Sequence, residues 1–468
     1  MNGMNRIQDL ITSFAEGGAA ELLACIDTLD DQTVLTTVGA AVSGGLSDAS
    51  ARAVRAIGHH LLHTDRMEPA LTLFATMIQS PYLTRGDVYA LGHTLIGYSG
   101  LWTNPDLAAN AVTVMSILTK LDENDFDAWM NVAGVWLDTP VEYVRAGDLK
   151  AAVEACKRIR PQSAEAHYVA GMYEQQFGDL RSAVGEYETA LELDPGHVAA
   201  RFRLWQMARA RGDRRVADLE LQVDDRAGDI DVPADAEDAA RHAYKTFGGT
   251  VLRGALSQTG FDSLITDLEP WLRKYMAEEH RSSVGFKKAS ESVQARLLEI
   301  LNGESIGKHV LQALGRWGGK GWKPHKHGQW LLQWHEPSDP KPTSLHQDYP
   351  VYADNADWFT IWMPFVECGP GIAPGLEVLP VRVNHPIHFV RERGQYINPV
   401  PLEDAVEYFA PFMVRPTFEP GDILVFDKTS IHRTYTERNL VRNRVSFDSR
   451  FQVGASPRGY PEETAAVA

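Results

Sequence analysis

His346, Asp348 and His432 are residues whose types and spacing could hold a metal ion. His346-Gln347-Asp348 places an imidazole and a carboxylate two positions apart, and His432 follows after a long interval. Two imidazoles and one carboxylate can occupy one face of a non-haem Fe(II) ion and leave the opposite face open for a bidentate co-substrate and oxygen. The set therefore predicts an oxidative metal site.

The HxD pattern is short, and a chain with sixteen histidines and many aspartates is expected to contain it by chance. His63-Thr64-Asp65 fits the same pattern, but it lies in the helix-like segment HHLLHTDRMEPALT. We assign this second copy to a helix end and turn, where no strand presents its side chains. The C-terminal set is the better candidate for a metal site.

Strand-like segments surround the C-terminal set. A turn signal, Glu419-Pro420-Gly421-Asp422, and an apolar run precede His432, so each ligand group is expected at a strand end. Short apolar or alternating runs of this kind are typical of a barrel or sandwich. The runs are WLLQW, FTIWMPFV, GLEVLP, DILVF and RVSFDSRFQV.

Longer stretches of this half resemble the phytanoyl-CoA dioxygenase family. The resemblance is carried by LHQD, FTIWMPFVECGPGIAPGLEVLP, PGDILVFDKTSIHRTY and RVSFDSRF, and it covers most of residues 239–455. It implies a double-stranded β-helix (jelly-roll) with flanking helices. Residue by residue, it implies that His346, Asp348 and His432 bind Fe(II) and that an arginine after the distal histidine anchors 2-oxoglutarate. The alternative is a lectin-like or isomerase-like barrel with three unrelated polar residues.

Two arginines could anchor the distal carboxylate of 2-oxoglutarate. Arginine suits this task because its planar fork donates two parallel hydrogen bonds and keeps its charge. Arg442 and Arg444 share one strand face, so alternation alone does not separate them. We prefer Arg444, because Val445 and Phe447 begin an apolar row on the other face and because Arg444-Val445-Ser446 matches the RxS arrangement of related oxygenases. Ser446 would then add a hydroxyl donor.

The resemblance implies a dioxygenase (hydroxylase) that oxidises a small molecule, or a substrate borne by a carrier or peptide, with release of succinate and CO2. Asp348 argues against the halogenating branch of this chemistry, in which a small residue vacates the carboxylate position. The alternative function is a non-catalytic interaction protein that uses its helical repeats and retains a cupin-like barrel.

The N-terminal half contains a repeat. Ala164–Pro195 reads AEAHYVAGMYEQQFGDLRSAVGEYETALELDP, with small and aromatic residues where two antiparallel helices would interlock, and it resembles the tetratricopeptide repeat family. Gly178-Asp179 recurs as Gly212-Asp213, 34 positions later, which is the period of that family. Such arrays usually present a concave surface to a peptide or another subunit, so a protein partner is possible here.

The chain is therefore expected to be multidomain, with all-α repeats followed by the double-stranded β-helix. We expect helical repeats over 1–215, an acidic solvated linker over 216–238, the oxygenase domain over 239–457 and a flexible tail over 458–468. Helices of the second domain are expected at its entry, around Phe261–Tyr275 and Ala289–Leu301. The stretch Val381–Pro416 is expected to overhang the pocket mouth.

The charge, the apolar runs and the cysteine count of the chain argue against several classes of partner and location. A net charge of -17 without a compensating basic run disfavours nucleic acid as a partner. No apolar run is long enough for a membrane span, and the first residues do not resemble a secretory signal, which favours the cytoplasm. Three widely spaced cysteines do not supply a disulfide framework or a Cys-based zinc site.

Other histidines and tryptophans carry secondary expectations. The pairs His325/His327 and His385/His388 lack a cysteine or carboxylate at a binding spacing, so we assign them to the surface or to a substrate loop. Trp330 and Trp334 could line the pocket wall, and core packing would explain them equally well.

Overall fold

The structure is a computed structural model, and it describes most of the chain. The described residues are 3–14, 19–63, 66–78, 80–97, 105–139, 143–221, 223, 230–233, 235–262, 265–266, 284–288, 322–324, 331–337, 345–348, 358–384, 387 and 403–453.

Helices occupy the N-terminal half, as the periodicity predicts. None of the described helices combines the length and the apolar character needed to cross a bilayer. In chain order they are α1 (Gly3–Thr12), α2 (Ala19–Asp27), α3 (Asp31–Val42), α4 (Asp48–His63), α5 (Met67–Ile78), α6 (Arg85–Gly97), α7 (Pro105–Leu121), α8 (Phe126–Asp138), α9 (Ala146–Ile159), α10 (Ala164–Phe177), α11 (Leu180–Leu193) and α12 (Val198–Ala210).

The pair α10–α11 shows why the repeat sequence folds as an antiparallel helix pair. Ser163 caps α10 by accepting a hydrogen bond from the N–H of Ala166, and Asp179 caps α11 in the same way. Gly171 lies directly against the ring of Tyr187, so the two helices approach closely at a position where any Cβ would collide with that ring. The small-against-aromatic pattern read from the sequence thus corresponds to a helix–helix contact.

The expected linker over 216–238 is partly built into the fold. A 3-10 helix spans Arg214–Leu219, and β1 (Asp231–Pro233) pairs in parallel with β2 (Gly249–Arg253). Ile230 and Val232 are buried, and Ile230 packs in the same apolar cluster as Val251 of β2. This part of the stretch is therefore a sheet edge rather than a solvated linker, and α13 (Glu237–Phe247) connects it to β2.

The described strands form two sheets. One has the order β1-β2-β8-β6-β10-β5-β3, with β4 beside β10, and the other is the antiparallel pair β7-β9. The remaining strands are β3 (Val284–Lys288), β4 (Trp322–Pro324), β5 (Leu331–His335), β6 (Trp358–Pro364), β7 (Gly375–Val378), β8 (Ile423–Asp427), β9 (His432–Tyr435) and β10 (Arg444–Val453).

Both sheets contribute to one apolar core. Trp362 and Phe426 of the large sheet pack in the same cluster as Leu376 and Val378 of the small sheet. The five runs read as strands are confirmed as β5 to β8 and β10. Within the described residues the strands do not close into a barrel, so the double-stranded β-helix stays a prediction beyond this two-sheet arrangement.

A helix lies where the sequence analysis expected only an overhanging stretch. α14 (Glu403–Phe409) falls inside Val381–Pro416, so the expectation that helices are confined to the entry of the second domain was wrong. The segments 267–283 and 289–321, which include most of the helices expected there, lie outside the described residues. The sequence EDAVEYF places two acidic residues in the first turn of α14 and buries Ala405, Tyr408 and Phe409.

α14 joins the two halves of the protein through aromatic contacts and ion pairs. Phe202 of α12 lies 5.2 Å, ring centroid to ring centroid, from both Tyr408 and Phe409. Arg209 pairs with Asp404 at 2.6 Å and with Glu407 at 2.5 Å. The helical array therefore packs directly against the sheet-containing half.

The apolar core of the array also reaches the strands that carry the candidate ligands. Leu345 and Ile431 belong to the same continuous cluster as the helical core, and each directly precedes a candidate metal ligand. Leu379 belongs to that cluster as well. Its N–H donates a hydrogen bond to Ile431 O at 2.9 Å, so the two residues lie side by side. The array thus forms part of the wall behind the candidate site.

The contact between Gly171 and Tyr187 yields a stability prediction. Gly171→Ala should lower the free energy of unfolding by about 1–3 kcal/mol, because the added methyl forces the buried Tyr187 ring to move. Urea unfolding followed by circular dichroism measures the change.

Gly185→Ala on α11 is the matched control for this variant. A Cβ there meets nothing within 4 Å, so alanine should leave stability unchanged or raise it by about 0.5–1 kcal/mol. Equal midpoint shifts for the two variants would contradict the proposed role of Gly171.

Candidate metal centre

His346 and His432 are brought together by a backbone bridge. The N–H of His346 donates to His432 O at 2.9 Å, and the N–H of His432 donates to His346 O at 3.0 Å. Directly paired residues of an antiparallel bridge project their side chains to the same side. The two imidazole rings accordingly lie 4.2 Å apart, centroid to centroid.

Asp348 completes the group two residues after His346. Its Oδ1 lies 3.8 Å from His346 Nε2 and 3.9 Å from His432 Nε2. The ligand atoms of the three residues all lie within 4.8 Å of one another, so the group could hold a metal ion. Metal–ligand bonds of about 2.1 Å let one ion span donors up to about 4.2 Å apart, which includes both His–Asp separations.

Neighbouring groups fix the orientation of His432. Its Nδ1 lies 3.1 Å from Ser430 O, and a carbonyl oxygen can only accept, so Nδ1 carries the proton and Nε2 keeps its lone pair. The Phe426 ring packs 4.5 Å from the imidazole. Both contacts direct Nε2 toward Asp348 as a ligand atom.

The three candidate ligands differ in exposure. The side chains of Asp348 and His432 are 3% and 6% exposed, whereas that of His346 is 18% exposed. His346 is therefore the candidate ligand that solvent reaches most easily.

Gln347, between the first two candidate ligands, links three segments. Its side-chain amide donates to Thr429 O at 2.6 Å, and its Oε1 accepts from the N–H of Ile387 at 2.8 Å. The side chain is buried, so these bonds are not weakened by competition with water. Gln347 therefore holds the His346–Asp348 segment at a fixed place relative to the chain that leads into His432.

The hydroxyl of Thr360 on β6 holds the Asp348 carboxylate. It donates to Asp348 Oδ2 at 2.5 Å, and Thr360 is fully buried. The carboxylate therefore presents Oδ1 to the two imidazoles, while Oδ2 is turned toward the sheet.

Arg444 and Ser446 lie on one face of β10, and both are fully buried. The Arg444 guanidinium donates to Gly375 O at 3.0 Å and to Gln333 Oε1 at 3.4 Å. It also lies 5.3 Å from the Trp362 ring centroid. The interior of this half thus contains a positive charge held above an aromatic ring.

Further polar atoms surround this charge. Ser446 Oγ and Trp362 Nε1 are buried and have no hydrogen-bond partner among the described residues. Burial, and then the positive charge of Arg444, lower the pKa of His335 to about 2, so its imidazole is neutral at any physiological pH. Arg444 therefore supplies a positive charge, and Ser446 and Trp362 supply a hydroxyl and an indole N–H beside it. An anion could use all three groups.

Strand β6 connects the candidate metal centre to the polar pocket formed by Arg444, Ser446 and Trp362. Thr360 contacts Asp348, and Trp362, two residues further on, lies under Arg444. Residues i and i+2 of a strand project from the same face and lie about 6.5–7 Å apart. Asp348 and Arg444 thus contact two side chains on one face of β6 that are one side-chain step apart.

The other residues raised by the sequence fall elsewhere. His63 ends α4 in the helical half, away from any strand, and Thr64 and Asp65 lie outside the described residues. Arg442 is exposed. The remaining candidates are the paired histidines, the two tryptophans proposed for the pocket wall and the tail. They, or their side chains, lie outside the described part of the chain: His325, His327, His385, His388, Trp330, Trp334 and 458–468.

The sequence analysis did not single out Gln347, Thr360, Trp362, Gln333 or His335. A signal existed for Thr360, since a lone hydroxyl in the apolar run FTIWMP is a buried polar group that needs a partner. The partners of Gln347 lie 40 and 82 positions away in sequence, so no local pattern could reveal them.

Known proteins resemble this chain at low sequence identity and over part of its length. No family model matches the chain, and no curated protein matches it. Solved structures similar to it include the non-haem alpha-ketoglutarate-dependent carbocyclase SnoK from nogalamycin biosynthesis, at 14% identity over 47% of this chain and 86% of SnoK, with a TM-score of 0.34.

Two further similar structures are MamA and YrrB. MamA from Desulfovibrio magneticus RS-1 is 22% identical over 36% of this chain and 90% of MamA, with a TM-score of 0.30. YrrB, a TPR protein with an unusual peptide-binding site, is 18% identical over 39% of this chain and 86% of YrrB, with a TM-score of 0.28. Similarities at this level carry no argument about activity.

The grouping of His346, Asp348 and His432 yields a metal-binding prediction. His346→Ala and His432→Ala should each weaken Fe(II) binding by at least about a hundredfold, because even the loss of a residue behind a ligand costs about 10–100-fold. Anaerobic calorimetric titration with Fe(II) measures the affinity.

His63→Ala is the control for the ligand variants, because His63 belongs to the second HxD copy. It should bind Fe(II) like the unaltered protein. Unchanged Fe(II) affinity in His432→Ala, with the fold intact by circular dichroism, would contradict the assignment.

Proposed function

We propose that this protein is an Fe(II)- and 2-oxoglutarate-dependent dioxygenase. His346, Asp348 and His432 would hold the iron, and Arg444 with Ser446 would hold the distal carboxylate of 2-oxoglutarate. The arrangement along β6 supports this proposal most directly, because it places the side chains that contact the carboxylate ligand and the buried guanidinium on one strand face.

The donor set suits Fe(II). Two neutral imidazoles and one carboxylate form the facial arrangement of non-haem iron oxygenases, and three donors leave positions open for a chelating co-substrate and oxygen. When bound, iron and 2-oxoglutarate supply the oxidising chemistry, in which O2 is consumed, 2-oxoglutarate is converted to succinate and CO2, and a substrate C–H becomes C–OH.

The polar pocket suits the far end of a short dicarboxylate. Four C–C bonds of about 1.5 Å give an extended five-carbon chain a span of roughly 5 Å between its end carbons. That span is shorter than one side-chain step along β6, about 6.5–7 Å, so such a chain fits between the contact with Thr360 and the contact with Trp362. The buried hydroxyl of Ser446 would add a donor to the carboxylate held by Arg444.

The protein's own residues would orient the co-substrate and keep water out. Trp362, Leu424 and Phe426 form an apolar surface on the inner face of the large sheet, next to both polar groups. In such a dry interior a charge-assisted hydrogen bond is stronger than in water. Arg444 would therefore fix the orientation of the dicarboxylate, and its keto acid end would be directed toward the three metal ligands.

The substrate would be a small molecule or a group borne by a carrier or peptide, entering past the partly exposed His346 side chain. In the second case, the helical array would bind the protein that brings the substrate, which would account for a repeat array packed against this site.

A succinate-release assay tests the function. The full-length protein with Fe(II), 2-oxoglutarate and a panel of metabolites and carrier-bound acyl groups should release succinate in proportion to substrate. Asp348→Ala should abolish the release, and His63→Ala should not affect it. Metal binding without 2-oxoglutarate binding would contradict the dioxygenase and favour an interaction protein with a retained barrel.

The anchor assignment yields a sharper prediction. Arg444→Lys and Arg444→Ala should weaken 2-oxoglutarate binding by about tenfold to a thousandfold, since removing one bidentate charge-assisted contact from a dry pocket costs about 2–5 kcal/mol. Iron binding should persist in Arg444→Lys, which keeps the charge and most of the volume. The charge-transfer absorbance of the Fe(II)–2-oxoglutarate complex measures the binding.

Arg442→Ala is the matched control for the anchor. Its side chain is exposed, and exposed ionic contacts are worth less than about 1 kcal/mol. Ser446→Ala should show an intermediate loss, because it removes one neutral donor. If Arg442→Ala weakens binding and the Arg444 variants do not, the anchor is misassigned by one strand step.

A further inference from the structure

The two oxygens of the Asp348 carboxylate have different surroundings. Oδ1 lies 3.8 Å and 3.9 Å from the Nε2 atoms of His346 and His432. Oδ2 instead accepts a hydrogen bond from the Thr360 hydroxyl at 2.5 Å, a short distance for a hydroxyl–carboxylate pair. The carboxylate is therefore oriented by a protein contact, with Oδ1 on the side of the imidazoles.

We propose that Thr360 is a positioning residue that makes Asp348 a one-oxygen metal ligand. This inference rests on the proposed function and deepens it. By holding Oδ2 against the sheet, Thr360 keeps the second carboxylate oxygen off the metal. The coordination positions that a chelating keto acid needs then stay open.

The position of Thr360 suits this task. β6 lies between β8 and β10, and Thr360 is paired with Phe426 on one side and with Arg450 on the other. Threonine is branched at Cβ, so its χ1 rotation is restricted, and full burial restricts it further. The hydroxyl is thus presented from a central strand and in a fixed direction.

Gln347 and Thr360 control different degrees of freedom of Asp348. Gln347 fixes the backbone of the ligand segment through Thr429 and Ile387. The backbone alone leaves the carboxylate free to rotate about its side-chain bonds. The hydrogen bond from Thr360 holds Oδ2 at the sheet and leaves Oδ1 facing the imidazoles.

Removing the hydroxyl should redirect the carboxylate rather than unfold the strand. In Thr360→Val the shape of the side chain is kept, but Oδ2 loses the hydrogen bond from the Thr360 hydroxyl in a buried site. A buried carboxylate oxygen that loses this bond can replace the interaction by turning to the metal. Two-oxygen coordination by Asp348 would then compete with the keto acid for the same position.

The inference can be tested with Co(II) as the metal probe and with 2-oxoglutarate. In Thr360→Val the visible absorption spectrum of the Co(II)-loaded protein should change, because the number of ligand oxygens changes. The 2-oxoglutarate constant of the Fe(II) protein should rise about tenfold or more, as expected for loss of a hydrogen bond to a charged group. Fe(II) affinity should fall less than about threefold or increase, and Thr360→Ser should rescue both readouts.

Thr250→Val is the matched structural control. Thr250 is also fully buried in the large sheet, but its hydroxyl donates to Ile230 O at 3.2 Å, away from the candidate ligands. This variant should lose stability without changing the Co(II) spectrum or the 2-oxoglutarate constant.

The two metals separate failure of this inference from failure of the proposed function. If Thr360→Val leaves the Co(II) spectrum unchanged, or if Thr360→Ser fails to restore it, Thr360 does not position Asp348. If the spectrum changes as expected but the unaltered protein binds no 2-oxoglutarate, the positioning role stands and the dioxygenase is wrong.

Discussion

The candidate site depends on the two backbone hydrogen bonds between His346 and His432. They join residues 86 positions apart in the sequence into one bridge, so the backbone alone makes the two imidazoles neighbours. Asp348, two residues after the bridge, lies 3.8 Å and 3.9 Å from the two imidazoles. Leu345 and Ile431, next to the bridged residues, face the apolar core shared with the helical array. The bridge is thus held by burial on one side and directs its ligand atoms to the other.

The sequence predicted the parts of the site that depend on local pattern. The five strand runs follow from alternation and turn signals, and the two-residue spacing puts Arg444 and Ser446 on one face of β10. The contacts of Gln347 and Thr360 could not be predicted, because they depend on which strands become neighbours and in which register. α14 was missed because its seven residues are too few for helical periodicity, and its burial depends on α12, about 200 positions earlier.

Polar residues inside the sheet-containing half are costly for folding, which makes their arrangement informative. Arg444 is fully buried, and the buried Gln333 amide bridges it to Asp448, donating to Asp448 Oδ2 at 2.9 Å and accepting from Arg444 at 3.4 Å. An apolar residue in place of Arg444 would pack at lower cost, because a buried charge loses its hydration. Buried polar groups that break the strand pattern are expected at functional sites rather than in a core selected for stability alone.

The apolar core of the helical array includes Leu379 and Ile431, which directly flank β7 and β9, and this changes how the repeat should be regarded. In a tethered module, few buried side chains would cross the boundary. Here Phe202 packs on Tyr408 and Phe409, and Arg209 pairs with two acidic residues of α14. From α14 the chain runs to Val414, whose backbone bonds to Val378, the residue opposite His432 in the small sheet. Packing of the array is therefore connected, through one short helix and one backbone bridge, to the strand that carries the distal histidine.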